Sequence, residues 1–121
     1  MALVLIVDDS PTELHVMKKA LEGSGFKTAT ASDGAEGIRL AREMHPDLIF
    51  MDIVMPGING YQATRALAND PVTRAIPVIM VTSKGQETDK IWGLRQGAVD
   101  YMVKPVSPTQ LVAKAQATLA G

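Results

Sequence analysis

The chain of 121 residues contains no cysteine. That excludes a disulfide framework and any thiolate metal centre. It has almost no net charge, −1 at neutral pH, with a pI near 6.1. Nothing in this balance suggests nucleic-acid binding, which usually needs a basic face. No apolar run approaches the roughly 20 residues of a membrane span. The opening "MALVLIV" lacks a basic n-region and meets Asp8 and Asp9 at once, so it reads as a first strand and not as a signal peptide. Neither "GxxxxGK[ST]" nor "GxGxxG" follows that strand, which argues against a nucleotide-binding module. Linkers, low-complexity segments and internal repeats are also absent. What remains is a chain 46% hydrophobic and 21% charged, the composition of an ordinary globular domain. Its length is enough to bury a core without staples. The expectation is one cytoplasmic domain spanning 1–121.

Short apolar runs alternate with amphipathic stretches along the chain. The runs are Leu3–Val7, Lys27–Ala31, Leu48–Met51, Pro77–Val81 and Val99–Val103. Helical spacing recurs between them, as in Leu14, Met17 and Leu21, and again in Leu111, Ala115 and Leu119. Five helix starts share one form, a Ser, Asp or Asn followed three residues later by Glu or Gln. They are "SPTE" at 10–13, "DGAE" at 33–36, "NGYQ" at 59–62, "SKGQ" at 83–86 and "SPTQ" at 107–110. This is the capping-box spacing. Pro11 and Pro108 stand at the first helical position, where a missing N–H costs nothing. Gly23 and Gly25 are placed to end the first helix.

Strand–helix alternation repeated five times predicts an α/β domain with a parallel sheet. The first, third and fourth runs are almost wholly apolar, as strands covered on both faces must be. The second, "KTATA", and the fifth, containing Asp100 and Tyr101, read as sheet edges. A sheet ordered 2-1-3-4-5 satisfies both, giving a flavodoxin-like (βα)5 three-layer sandwich. Ligands in such sheets sit beyond the carboxyl ends of the strands, where the order switches, here between strands one and three.

Chemistry-bearing residues gather at those ends. Strand one ends in Asp8 and Asp9, strand three in Asp52, and strand four in Thr82 and Ser83; Lys104 and Pro105 follow strand five. Two unit charges about 4 Å apart repel by roughly 4 kcal/mol at an effective dielectric near 20. Three carboxylates therefore need positive charge beside them. Lys104 supplies one, and a hard divalent ion held by oxygens, such as magnesium, supplies two. Magnesium keeps waters and completes its shell with phosphate oxygens, and an aspartate can itself become a phosphorylated nucleophile.

With these residues in view, the chain resembles the receiver domain of two-component response regulators. "VDDS" resembles the acidic pair, "MDIVMPGING" the phosphoacceptor segment, "VTS" the switch hydroxyl, and "DYMVKP" the switch aromatic and lysine. The resemblance spans essentially the whole chain, with motifs in order. It implies that Asp52 accepts a phosphoryl group from a phosphohistidine on a histidine kinase. Asp9 binds Mg2+ directly, Asp8 assists, often through water, and the backbone carbonyl of Val54 adds an oxygen. Lys104 pairs with phosphoryl oxygens, Thr82 moves toward them, and Tyr101 changes rotamer to fill the vacated space. The Lys104–Pro105 peptide is expected cis. The output surface is the fourth helix, from Gln86 to Gln96, with the fifth strand and the helix from Pro108. Val54 and Lys84 occupy positions that tune phosphoryl lifetime in the family.

No effector domain is expected beyond the last helix; the expectation is a stand-alone, monomeric signalling protein. It would act on a protein target or drain phosphoryl groups from a pathway as a sink or relay. The finer resemblance is to stand-alone regulators of chemosensory twitching-motility systems. The competing class is an enzyme, an Asp-nucleophile phosphatase or phosphotransferase of the haloacid-dehalogenase type. That class wants "DxD" at its first strand, where this chain has adjacent "DD". Asp33 reads as a helix cap, Asp100 as solvent-facing, His15 and His45 as structural or exposed, and the seven methionines mostly as core filler.

Overall fold

The computed structural model describes residues 2–83 and 87–121, with the side chains of residues 87–89 outside that description. Five strands, β1 (Leu3–Val7), β2 (Lys27–Ala31), β3 (Leu48–Asp52), β4 (Val78–Thr82) and β5 (Asp100–Val103), alternate with five helices. These are α1 (Pro11–Gly23), α2 (Gly34–Met44), α3 (Gly60–Asn69), α4 (Glu87–Arg95) and α5 (Pro108–Ala120). All strands pair parallel in the order β2-β1-β3-β4-β5. The expected order and (βα)5 architecture are thus borne out. β3 and β4 each extend to the polar residue that closes them, Asp52 and Thr82.

The period of two along each strand divides the core into two. Val4, Ile6, Leu48, Phe50, Ile79 and Val81 face one way and meet Met17 and Leu21 of α1 and Leu111 and Ala115 of α5. Leu5, Val7, Ile49, Met51, Val78 and Met80 face the other way, onto Ala41 of α2 and Ala63 and Leu67 of α3. Because both faces are covered, β1, β3 and β4 had to be apolar throughout. β2 and β5 lie outermost and keep exposed residues, as their mixed sequences required.

Local chemistry fixes the helix starts. Side-chain oxygens of Ser10, Asp33, Asn59 and Ser107 accept the backbone N–H three residues on. At α3 the box is closed both ways, because Gln62 in turn accepts the Asn59 N–H. At α2 the return bond goes from the Ser32 N–H to Glu36, one residue earlier than the simple pattern. The "SKGQ" start runs into residues 84–86, which lie outside the described residues, as does Lys84. α1 ends as expected: Gly25, at φ 92°, turns the chain, and the Phe26 N–H returns to the Leu21 carbonyl. His45 closes α2 in the left-handed region, at φ 49°, and is exposed like His15.

The loop after β3 is anchored by Gly60. Its N–H donates to the Ile53 carbonyl at 2.8 Å, so the start of α3 folds back against the end of the strand. A Cβ on Gly60 would lie 2.1 Å from the Asp52 carbonyl oxygen. Gly60→Ala is therefore expected to displace the end of β3 and cost about 1–3 kcal/mol, as overpacking does. Gly23→Ala, with nothing within 4 Å of the added methyl, should cost nothing or stabilise slightly. Urea unfolding of the two variants checks the contrast.

Candidate functional site

Three neighbouring strands deliver the candidate residues to one place. β1 runs between β2 and β3, and Asp8 continues it, donating its N–H to the Ala31 carbonyl at 3.0 Å. Alternation then turns the two acids apart: Asp8 is 1% exposed, while Asp9 faces solvent. Ser10 ends the motif by capping α1, and its N–H donates to Asp8 Oδ1 at 2.9 Å. Asp52, the last residue of β3, is 5% exposed. Carboxylate oxygens of Asp8, Asp9 and Asp52 all lie within 4.8 Å of one another.

Lys104 arrives from the far side of the sheet. Its N–H donates to the Thr82 carbonyl at 2.7 Å, which ties the end of β5 to the end of β4. The peptide to Pro105 is cis, as expected. Its side chain reaches back past β4, and Nζ lies 2.9 Å from Asp8 Oδ2 and 3.3 Å from Asp52 Oδ1. Thr82 is buried at the end of β4, one residue beyond Val81, the β-sheet partner of Asp52. Among the described residues, no fully buried side-chain nitrogen or oxygen lacks a hydrogen-bond partner.

The electrostatics follow from this crowding. Burial, and then the charge of Asp8, push the Asp52 carboxyl up to about 6, although Lys104 pulls it down. Burial works to lower the Lys104 pKa, but the hydrogen bond to Asp8 and the charges of Asp52 and Asp8 outweigh it, so the ammonium is held above its ordinary range. At neutral pH the site thus holds an ionised but destabilised carboxylate beside a firmly protonated lysine.

A divalent cation fits this donor set. Each oxygen of Asp8 already accepts a hydrogen bond, one from Ser10 and one from Lys104. Asp9 stands open to solvent, and Lys104 approaches Asp52 through Oδ1. Asp9 and Asp52 are therefore the direct donors at hand, with Asp8 placed for a contact through water. Oxygen donors that leave room for waters are what Mg2+ takes.

The sequence profile of the response regulator receiver domain matches residues 4–116. This chain belongs to the response regulator receiver family. It is 55% identical over 121 residues to Protein PilH of Pseudomonas aeruginosa, covering all of both chains. It is 39% identical over 116 residues to the DNA-binding response regulator MtrA of Mycolicibacterium smegmatis, covering 96% of this chain and 50% of that one. Among solved structures, Vibrio cholerae chemotaxis protein CheY4 superposes with a TM-score of 0.92 at 31% identity, over 97% of this chain and 98% of that one. A response regulator from Chloroflexus aurantiacus gives 0.94 at 33% identity, over 99% and 98%.

The rest of the expected constellation is distributed over this receiver domain as follows. Tyr101 lies in β5, half-buried against the core cluster that packs under α2 and α3. Val54 follows β3 on the loop, with its side chain 60% exposed. Asp100, expected to face solvent, is part-exposed and pairs with Lys114 of α5 at 2.8 Å. Lys90 of α4 sits over the Tyr101 ring. Neither lysine carried any signal in the sequence, because both contacts join distant elements through long side chains at unremarkable helical positions. Of the methionines, Met17, Met51, Met55, Met80 and Met102 are core residues, and Met44 is exposed.

The raised Asp52 pKa makes a stability prediction. Between 3.8 and about 6 the folded chain keeps this proton while the unfolded chain loses it, so stability falls as pH rises through that window. Asp52→Asn removes the charge with little change of shape. In chelator-treated buffer it should stabilise the receiver domain at pH 7 by up to about 3 kcal/mol, at 1.36 kcal/mol per unit. The gain should shrink toward zero below pH 4. Urea unfolding at both pH values checks it.

Proposed function

We propose that this chain is a single receiver domain spanning 1–121 that works as a phosphorylation-controlled switch. The observation that carries the reading is the Asp52 carboxylate, buried at the sheet's switch point and held between an acidic pair and Lys104. In the proposed reaction an Asp52 oxygen attacks the phosphorus of a phosphohistidine on a histidine kinase. The P–N bond breaks, and its electron pair returns to the imidazole, which takes a proton. Lys104 stays protonated and can follow the phosphoryl oxygens from its present place between Asp8 and Asp52. Asp9, Asp52 and the Val54 carbonyl would hold Mg2+, with Asp8 behind; when bound, it supplies positive charge against the transferring phosphoryl group.

Thr82 then hydrogen-bonds the phosphoryl group, and Tyr101 follows it inward. The surface of α4, β5 and α5 changes, shifting a pre-existing equilibrium toward the form that binds a protein target. The chain acts as a signalling protein and not as an enzyme on an outside substrate. No helix among the described residues is long and apolar enough to cross a membrane; a cytoplasmic monomer is the proposed state. The match to PilH over the full length of both chains supports a regulator of that kind. With the sequence's resemblance to twitching-motility regulators, it also supports a place in a chemosensory system that controls type IV pili.

Incubation with acetyl phosphate and Mg2+ should add one base-labile phosphoryl group, read by intact-protein mass spectrometry. Asp52→Ala protein, and wild type treated with chelator, should gain none. Stoichiometric labelling of the Asp52→Ala protein contradicts the assignment. Trp92, the sole tryptophan, lies 54% exposed in α4. Its fluorescence should change on addition of beryllofluoride and Mg2+; an unchanged signal at saturation contradicts a rearrangement at α4.

A further inference from the structure

Two cations from two different helices grip the same pair of β5 residues. The Lys90 ammonium of α4 lies 4.7 Å from the centroid of the Tyr101 ring. That is within the roughly 6 Å over which a cation is attracted to an aromatic face. Next to it, the Asp100 carboxylate takes an ion pair from Lys114 of α5 at 2.8 Å and accepts the Tyr101 N–H at 2.8 Å. Burial alone would raise the Asp100 pKa, but the Lys114 hydrogen bond leads the groups that outweigh it. The Tyr101 N–H and the charges of Lys114 and Lys90 add to it, so the carboxyl lies below its ordinary value. Lys90 is thus attracted both by the ring below it and by the carboxylate beside it. Lys90, Asp100, Tyr101 and Lys114 line one open groove of about 700 Å³ between α4, β5 and α5.

We infer that Lys90 is a positioning residue for the switch: its ammonium, seated on Tyr101, holds the ring in its present place and so opposes activation. This rests on the reading of Tyr101 as the residue that follows Thr82. In the arrangement described, Lys104 pairs directly with the unmodified Asp52 carboxylate, and the Tyr101 ring lies under Lys90. Moving the ring inward takes it off the ammonium, and phosphorylation must supply that difference. Removing the cation makes the switch easier to throw, by about the strength of an exposed cation–π contact, which corresponds to roughly two- to five-fold in an equilibrium.

The test is a beryllofluoride titration of the full chain in excess Mg2+, read by the NMR signals of labelled Tyr101. Lys90→Met should reach half-activation at two- to five-fold lower activator than wild type, and Lys90→Arg, which keeps a cation over the ring, should stay near wild type. In a Tyr101→Leu background, followed at the Thr82 amide, Lys90→Met should leave the midpoint unchanged. A Lys90→Met midpoint equal to wild type overturns the inference, and so does an equal shift with and without the Tyr101 ring, which marks a merely structural role. Either result leaves the phosphoacceptor reading standing. A wild-type chain whose Tyr101 does not respond to saturating activator overturns the inference together with the reading of Tyr101 as the residue that follows Thr82.

Discussion

Like charge held at the switch point of the sheet is the constraint on which the rest of the structure depends. Asp8 and Asp52 are almost fully buried, and their oxygens share a space less than 5 Å across with Asp9. A buried carboxylate without a partner is costly. Here the cost is met by one lysine that reaches two carboxylates from the opposite end of the sequence, and it is met only in part. The residue left most perturbed, Asp52, is the one at the tip of the central strand. A second source of positive charge, such as a bound cation, is therefore favoured at this place on electrostatic grounds alone.

The same wiring carries the site outward. Lys104 is held to β4 through the Thr82 carbonyl, Thr82 registers with Val103, and Met80 with Tyr101. A displacement at the end of β4 cannot leave β5 untouched, because the edge strand has its β-sheet partner on that side alone. β5 in turn is contacted by Lys90 from α4 and Lys114 from α5. The edge position of β5 thus explains both its polar sequence and its suitability as a moving part.

Much of this was legible in the sequence, and for identifiable reasons. Strand identity and order were readable because β1, β3 and β4 had to be apolar on both faces while β2 and β5 did not. Four helix starts were readable because capping is a contact between residues three apart. Asp8, Asp9, Asp52, Thr82 and Lys104 could be grouped because each stands at the carboxyl end of a strand, and parallel order brings those ends together. The resemblance already divided the roles of Asp8 and Asp9; the physical reason, which of them the pleat turns inward, is visible only in the fold. The pairing of Asp100 with Lys114 and the seat of Lys90 on Tyr101 could not be read, because they depend on how helices pack across the edge strand. Gly60 stood in a motif, but its reason, the 2.1 Å approach to the Asp52 carbonyl, is visible only in three dimensions.

The central claim is that Asp52 is a carboxylate under strain from burial and Asp8, relieved by Lys104 and by a bound divalent ion. Titration of the aspartate side-chain carboxyls by carbon-13 NMR tests it most directly. The account predicts that Asp52 titrates near 6 without metal, higher still in Lys104→Met protein, and well below 6 in saturating Mg2+. An Asp52 that titrates in the ordinary carboxylate range, unmoved by loss of Lys104 or by Mg2+, would contradict it.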